Sequence, residues 1–157
     1  SVVLAKDPEN AQRYEEILQR HQVKAELLEI ELTETAAVSE YDYVKKLFAC
    51  FQEKNMQTSL DDFGAGYSVL NSVVDIPINT VKLDRGFIVR CAENQRGIYF
   101  LQQVVNVVKS LGYQVVCEGI ETREQVDIMR SVGCDSAQGF WFSKAIPAGE
   151  FREKYME

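Results

Sequence analysis

The segment LLEIELTE (27–34) alternates apolar Leu28, Ile30 and Leu32 with Glu29, Glu31 and Thr33. A period of two is that of a strand with one apolar face and one polar face. The same design recurs three times. In TSLDD (58–62) Leu60 opposes Ser59 and Asp61; in NTVKLD (79–84) Val81 and Leu83 alternate with Lys82 and Asp84. In QVVCEGIE (114–121) Val115 and Cys117 oppose Val116 and Glu118. Each polar face turns charged near the C-terminal end of its strand. Strand-like runs at SVVLA (1–5) and AQGFWF (137–142) bring the number to six.

Helical spacing fills the intervals, at 8–22, 39–55, 96–112 and 122–133. The clearest stripe is Ile98, Leu101, Val105, Val108 and Leu111, stopped by Gly112, and Thr122 with Gln125 has the form of a capping box. A brief helix is expected within FGAGYSVLNSVVDIP (63–77). An antiparallel sheet with one wet face would account for any single strand. It accounts less well for four such strands with helices between them, which favour βα units around a mainly parallel sheet. In an α/β barrel the apolar side meets the outer helices and the strand ends form the active-site rim. Glu31, Asp61, Lys82, Asp84, Glu118 and Gln138 would then meet at one mouth. A whole barrel takes about 250 residues and eight strands. The expected fold is therefore a TIM-like (β/α) barrel, present as a truncated barrel lacking its first βα units. Such a barrel leaves open strand edges and exposed apolar interior, with Phe140, Trp141 and Phe142 as candidates for exposure.

Composition sets the bounds. The 157 residues are 46% hydrophobic and 26% charged, enough for one domain spanning 1–157. No run approaches the ~18 apolar residues of a membrane span, and SVVLAKDPEN lacks the form of a signal peptide, so a cytoplasmic chain is expected, with membrane attachment left to other domains of its parent. A net charge of −7 argues against a nucleic-acid partner. Cys50, Cys91, Cys117 and Cys134 show no CxxC spacing or clustering, so reduced thiols are expected rather than zinc. His21 is the only histidine, which leaves chemistry to carboxylates, lysine or metal-bound water.

Carboxylates converging with one lysine suit hard divalent cations, two of which can clamp an in-line phosphoryl displacement. The adjacent Asp61 and Asp62 would tolerate each other with cations between them. Lys82 would balance negative charge on the attacking hydroxide or the scissile phosphate. Gly64 and Gly66 would let the loop turn beside the site. Taken alone, Asp62 is equally well read as a helix cap, and the glycines are better read as a plain turn.

The set ELTE (31–34), DDFGAGYS (61–68), VKLDRGFI (81–88), CEGIET (117–122) and QGFWFSK (138–144) closely resembles the EAL-type phosphodiesterases of bacterial cyclic di-GMP signalling, in order and spacing. The resemblance implies metal-dependent opening of one phosphodiester of cyclic di-GMP to give linear pGpG, with two ions of Mg2+ or Mn2+. It implies metal ligation by Glu31, Asp61, Asp62 and Glu118, and catalysis by Lys82, Glu118 and Asp62. Asp84, Gln138 and Glu121 fall on substrate-binding positions, and Glu34, Gly64 and Gly66 on positions that anchor the loop after the aspartate pair. It also implies a homodimer, and a parent carrying sensory or GGDEF-type domains.

Ala65, Cys117 and Ala145 replace the threonine, alanine and proline common in the family. The Glu-Ala-Leu signature is not in this sequence, and Ser1 resembles the serine of an upstream Asn-x-Ser motif. The chain alone is therefore expected to be inactive or nearly so. An alternative is a catalytically inactive EAL-like domain serving as a cyclic di-GMP receptor or protein-interaction module. A phosphoacceptor receiver domain fits poorly, since its acidic pair lies near the start of the chain.

Overall fold

Five parallel strands line up side by side in the order in which the chain makes them, β1 to β5, among the residues that the computed structural model describes, 10–65 and 74–156. The described chain opens with α1 (Asn10–Arg20), and a single 3-10 turn leads into β1 (Glu29–Thr33). Two helices follow, α2 (Glu34–Ser39) and α3 (Tyr41–Glu53), then β2 (Gln57–Phe63) and β3 (Thr80–Leu83). After β3 come α4 (Arg85–Ala92) and α5 (Gln95–Ser110), then β4 (Gln114–Cys117), α6 (Arg123–Val132), β5 (Ser136–Ala137) and α7 (Ala148–Tyr155). Unreversed strand order with intervening helices is the wall of an α/β barrel; a doubly wound sheet would reverse its order at a switch point. The expected fold class therefore stands.

Alternation decides which face is covered. Leu60, Val81, Leu83, Val115 and Cys117 point from the sheet into the helix layer, where they meet Leu47, Phe48, Phe51, Leu101, Val105 and Val108. Leu101, Val105 and Val108 are at most 1% exposed, each contributing about 1.5–3 kcal/mol by burial. The predicted stripe holds at these positions, while Leu111 is exposed at the C-cap of α5. At the lower edge of the sheet the Asn79 side chain accepts the Thr58 backbone N–H at 2.9 Å, and Asp135 accepts that of Val115 at 2.9 Å.

Several elements differ from the sequence reading. A helix, α4, begins directly after β3, because the Asp84 carboxylate accepts the Phe87 N–H at 2.9 Å as an N-cap. Helix α7 was not expected either. The run 137–142 is not a strand beyond Ala137. The Gly139 carbonyl accepts from Phe142 N at 3.1 Å and Ser143 N at 3.3 Å, so the chain curls into turns there. Phe140, Trp141 and Phe142 are consequently exposed. The expected strand at 1–5 lies outside the described residues. So does most of the short helix expected within 63–77, of which Val74 and Asp75 are helical.

Candidate functional site

The site is built where the strands end. Lys82 lies on β3, the middle strand, with only 8% of its surface exposed. Its ammonium pairs with Glu31 of β1, and with Glu118 at 3.2 Å just past β4. Gln138, just past β5, donates from Nε2 to the Glu118 carboxylate at 2.7 Å. Four strands thus send one side chain each into a single hydrogen-bonded chain, Glu31–Lys82–Glu118–Gln138. Burial works against the Lys82 charge, but the hydrogen bonds to Glu31 and Glu118 outweigh it and hold its pKa above the ordinary lysine value. Burial, then the Asp61 carboxylate, push Glu118 above the usual carboxylate range, against the pull of Lys82.

The aspartate pair rests on a local break in the sheet. Leu60 aligns with Val81 and Phe63 with Leu83, so Asp61 and Asp62 together face the single residue Lys82. This is a β-bulge. Its extra residue, Asp62, takes a left-handed backbone with φ of 57°, a conformation that aspartate tolerates better than most side chains. The Asp62 N–H donates to Asp61 Oδ1 at 2.9 Å, so the first carboxylate holds the turn that presents the second. Burial, then the charges of Asp61 and Asp84, raise the Asp62 pKa.

The loop beyond is clamped on both sides of one residue. Glu34, 5% exposed at the start of α2, accepts the Gly64 N–H at 3.0 Å, and Arg90 of α4 donates to the Gly64 carbonyl at 3.0 Å. Gly64 has φ of 91°, and a Cβ there would lie 2.5 Å from the Phe87 ring, so this position requires glycine. Gly66 lies outside the described residues.

Hard oxygen donors suit a divalent cation, and the raised pKa values of Asp62 and Glu118 mark negative charge that the protein leaves incompletely balanced. Among the described residues no three acidic, cysteine or histidine side chains enclose an ion, Lys82 being paired with both Glu31 and Glu118. The carboxylates suit a cation by their chemistry, while in this arrangement Lys82 rather than an ion sits between Glu31 and Glu118.

The family model for the EAL domain matches residues 1–145. The chain belongs to the EAL domain family. It is 34% identical over 126 residues to the cyclic di-GMP phosphodiesterase NbdA of Pseudomonas aeruginosa, covering 80% of this chain and 16% of NbdA. The solved MucR phosphodiesterase in complex with cyclic di-GMP matches at a TM-score of 0.86 and 28% identity, over 96% of this chain and 61% of that one. Klebsiella pneumoniae BlrP1, solved with manganese and cyclic di-GMP, matches at 0.83 and 29%, over 90% of this chain and 36% of its own. The chain thus spans only part of each.

In this EAL domain two expected site residues are hydrogen-bonded outside the Glu31–Lys82–Glu118–Gln138 chain. Asp84 caps α4, and Glu121 accepts from Arg85 Nη2 at 2.6 Å. Arg85 and Arg90 were not singled out by the sequence. Both lie on α4, and recognising Asp84 as an N-cap would have placed them on one helix beside the loop. No helix among the described residues is long and apolar enough to cross a membrane.

Proposed function

We propose that this EAL domain takes part in hydrolysis of cyclic di-GMP to linear pGpG, the reading carried by the buried Lys82 held between Glu31 and Glu118 beside the Asp61–Asp62 bulge. NbdA and MucR, whose names include cyclic di-GMP phosphodiesterase activity, support it. Glu31, Asp61, Asp62 and Glu118 would hold Mg2+ or Mn2+. When bound, the cations supply charge that lowers the pKa of the attacking water and neutralises the phosphate.

The chain's own residues do the rest. Glu118, with its pKa raised by burial, is suited to take the proton of the attacking water, and Gln138 orients its carboxylate. The water oxygen bonds to phosphorus as one P–O ester bond breaks. Lys82 offers a fixed positive charge where negative charge grows, and its burial makes that charge count for more than in water. Asp62, presented by the bulge, adds a further carboxylate beside Asp61. Glu34 and Arg90 fix the loop that follows. Asp84 and Glu121 reach substrate only if they exchange their present partners.

The reading extends to the rest of the parent. The 157 residues would be the later strands of the domain, its wall completed to the eight strands of a barrel. The domain would pair with a second copy, and sensory or cyclase domains would accompany it, as the name of MucR, a bifunctional diguanylate cyclase/cyclic di-GMP phosphodiesterase, suggests.

The test follows pGpG release by chromatography from the full protein with Mn2+. Lys82→Met keeps the stem and removes the charge, and should lower the rate by about 10²–10³-fold with circular dichroism unchanged. Undiminished turnover by the variant would remove the lysine from the mechanism. Dinucleotide binding without turnover by the unaltered protein would point instead to a receptor.

A further inference from the structure

Cys117 ends β4, and Cys134 lies in the loop that carries the chain from α6 into β5. Seventeen positions apart, they give no local spacing signal, yet their sulfurs stand 2.7 Å apart. Both are free thiols. That separation is closer to the ~2.05 Å of a disulfide than to the spacing of unrelated packed side chains.

The backbone around them is already fixed. Asp135 N–H donates to the Val115 carbonyl at 3.0 Å, and Gln138 N–H to the Cys117 carbonyl at 2.8 Å. The Asp135 carboxylate accepts the Val115 N–H at 2.9 Å and the Lys109 ammonium at 2.6 Å. The two sulfurs therefore face each other between segments that are already tied together. The two thiols also differ. Cys117 is fully buried, whereas Cys134 is partly exposed. Cys50 and Cys91 lie on α3 and α4.

We infer that Cys117 and Cys134 are a redox modification site, joined by a reversible intramolecular disulfide when a hydroperoxide oxidises the protein. The Cys134 sulfur attacks the O–O bond of hydrogen peroxide, forming a sulfenic acid and releasing one water. The Cys117 sulfur then attacks Cys134, the S–O bond breaks and a second water leaves. Two thiols lose two electrons and two protons, and the peroxide is reduced to two waters. The bond would tie the residue before Glu118 to the segment that carries Gln138, across α6.

The test is independent of phosphodiesterase activity. The full protein is treated with hydrogen peroxide, its remaining thiols are alkylated, and it is digested with trypsin without reductant. The expected product is peptide 110–123 joined to peptide 131–144, lighter than the pair by two hydrogens and separated by dithiothreitol. Cys50 and Cys91 should carry the alkyl group. Oxidised protein should also unfold at a higher temperature than reduced protein, and Cys117→Ala and Cys134→Ser should each abolish that gain. Recovery of both cysteines alkylated, overoxidation without a crosslink, or pairing with Cys50, Cys91 or another molecule would overturn the inference.

Discussion

Replacing Glu34 tests how the aspartate pair is held in place. The residue is 5% exposed and its carboxylate accepts the Gly64 N–H at 3.0 Å, while Arg90 grips the Gly64 carbonyl. Glu34→Ala leaves the half-buried Gly64 N–H without its acceptor, at about 1–3 kcal/mol. The lost packing of the side-chain stem brings the total to roughly 2–3 kcal/mol. For a domain of this size that is a Tm lower by roughly 4–12 °C. Glu34→Gln keeps an acceptor oxygen at the same reach and loses only the charge assistance, so about half of the effect should remain. Gly64 follows Asp62 by two positions, so loosening it should also lower phosphodiester hydrolysis by about 10²-fold in the alanine variant. Thermal melts and initial rates on the three proteins read both effects. Equal behaviour of the alanine and glutamine variants would show that the acceptor at Glu34 is not what anchors the loop.

Two other changes probe the frame around the site. Burial alone would raise the Asp135 carboxyl, but the Lys109 hydrogen bond, the Val115 N–H and the Lys109 charge outweigh it, and its pKa lies below the ordinary value. A depressed carboxylate stabilises the fold above its unfolded pKa, near 4, and loses that contribution as pH falls through the folded value. Asp135→Asn should therefore lower the urea midpoint at pH 7, with the gap from the unaltered protein narrowing below about pH 4; a gap independent of pH would refute this. Gly97→Ala, in the first turn of α5, should reverse the usual sign for a helical glycine. Alanine ordinarily gains up to ~1 kcal/mol there, but its Cβ would lie 2.2 Å from the Cys91 carbonyl oxygen, and forcing α4 and α5 apart should cost a net 1–3 kcal/mol or so, read by denaturant unfolding.

The strand ends were legible because period-two alternation is a local property, and Glu31, Lys82 and Glu118 carry it plainly. The Thr122–Gln125 capping box was legible for the same reason, and it forms with both of its hydrogen bonds. Three features were not. Asp84 was read with the strand before it, which hid the helix that it caps. The aromatic run at Phe140, Trp141 and Phe142 has strand propensity, but turns that close on the Gly139 carbonyl override it. Cys117 and Cys134 meet only through the pairing of β4 with β5, and no sequence spacing announces a contact of that kind.

The bulge at Asp62 also bears on how such a rim changes by mutation. Leu60 and Phe63 both face the helix layer although one is even-numbered and the other odd. The extra residue shifts the phase of β2 by one, so neither apolar neighbour gives up its place in the core. Deleting Asp62 alone would restore a regular pleat with Leu60, Asp61 and Phe63 opposite the residues they already flank. A single-codon insertion or deletion would thus add or remove one acid from the rim without rewriting the packing beneath it. Chains that differ by one residue here should share a core and differ in the charge they offer.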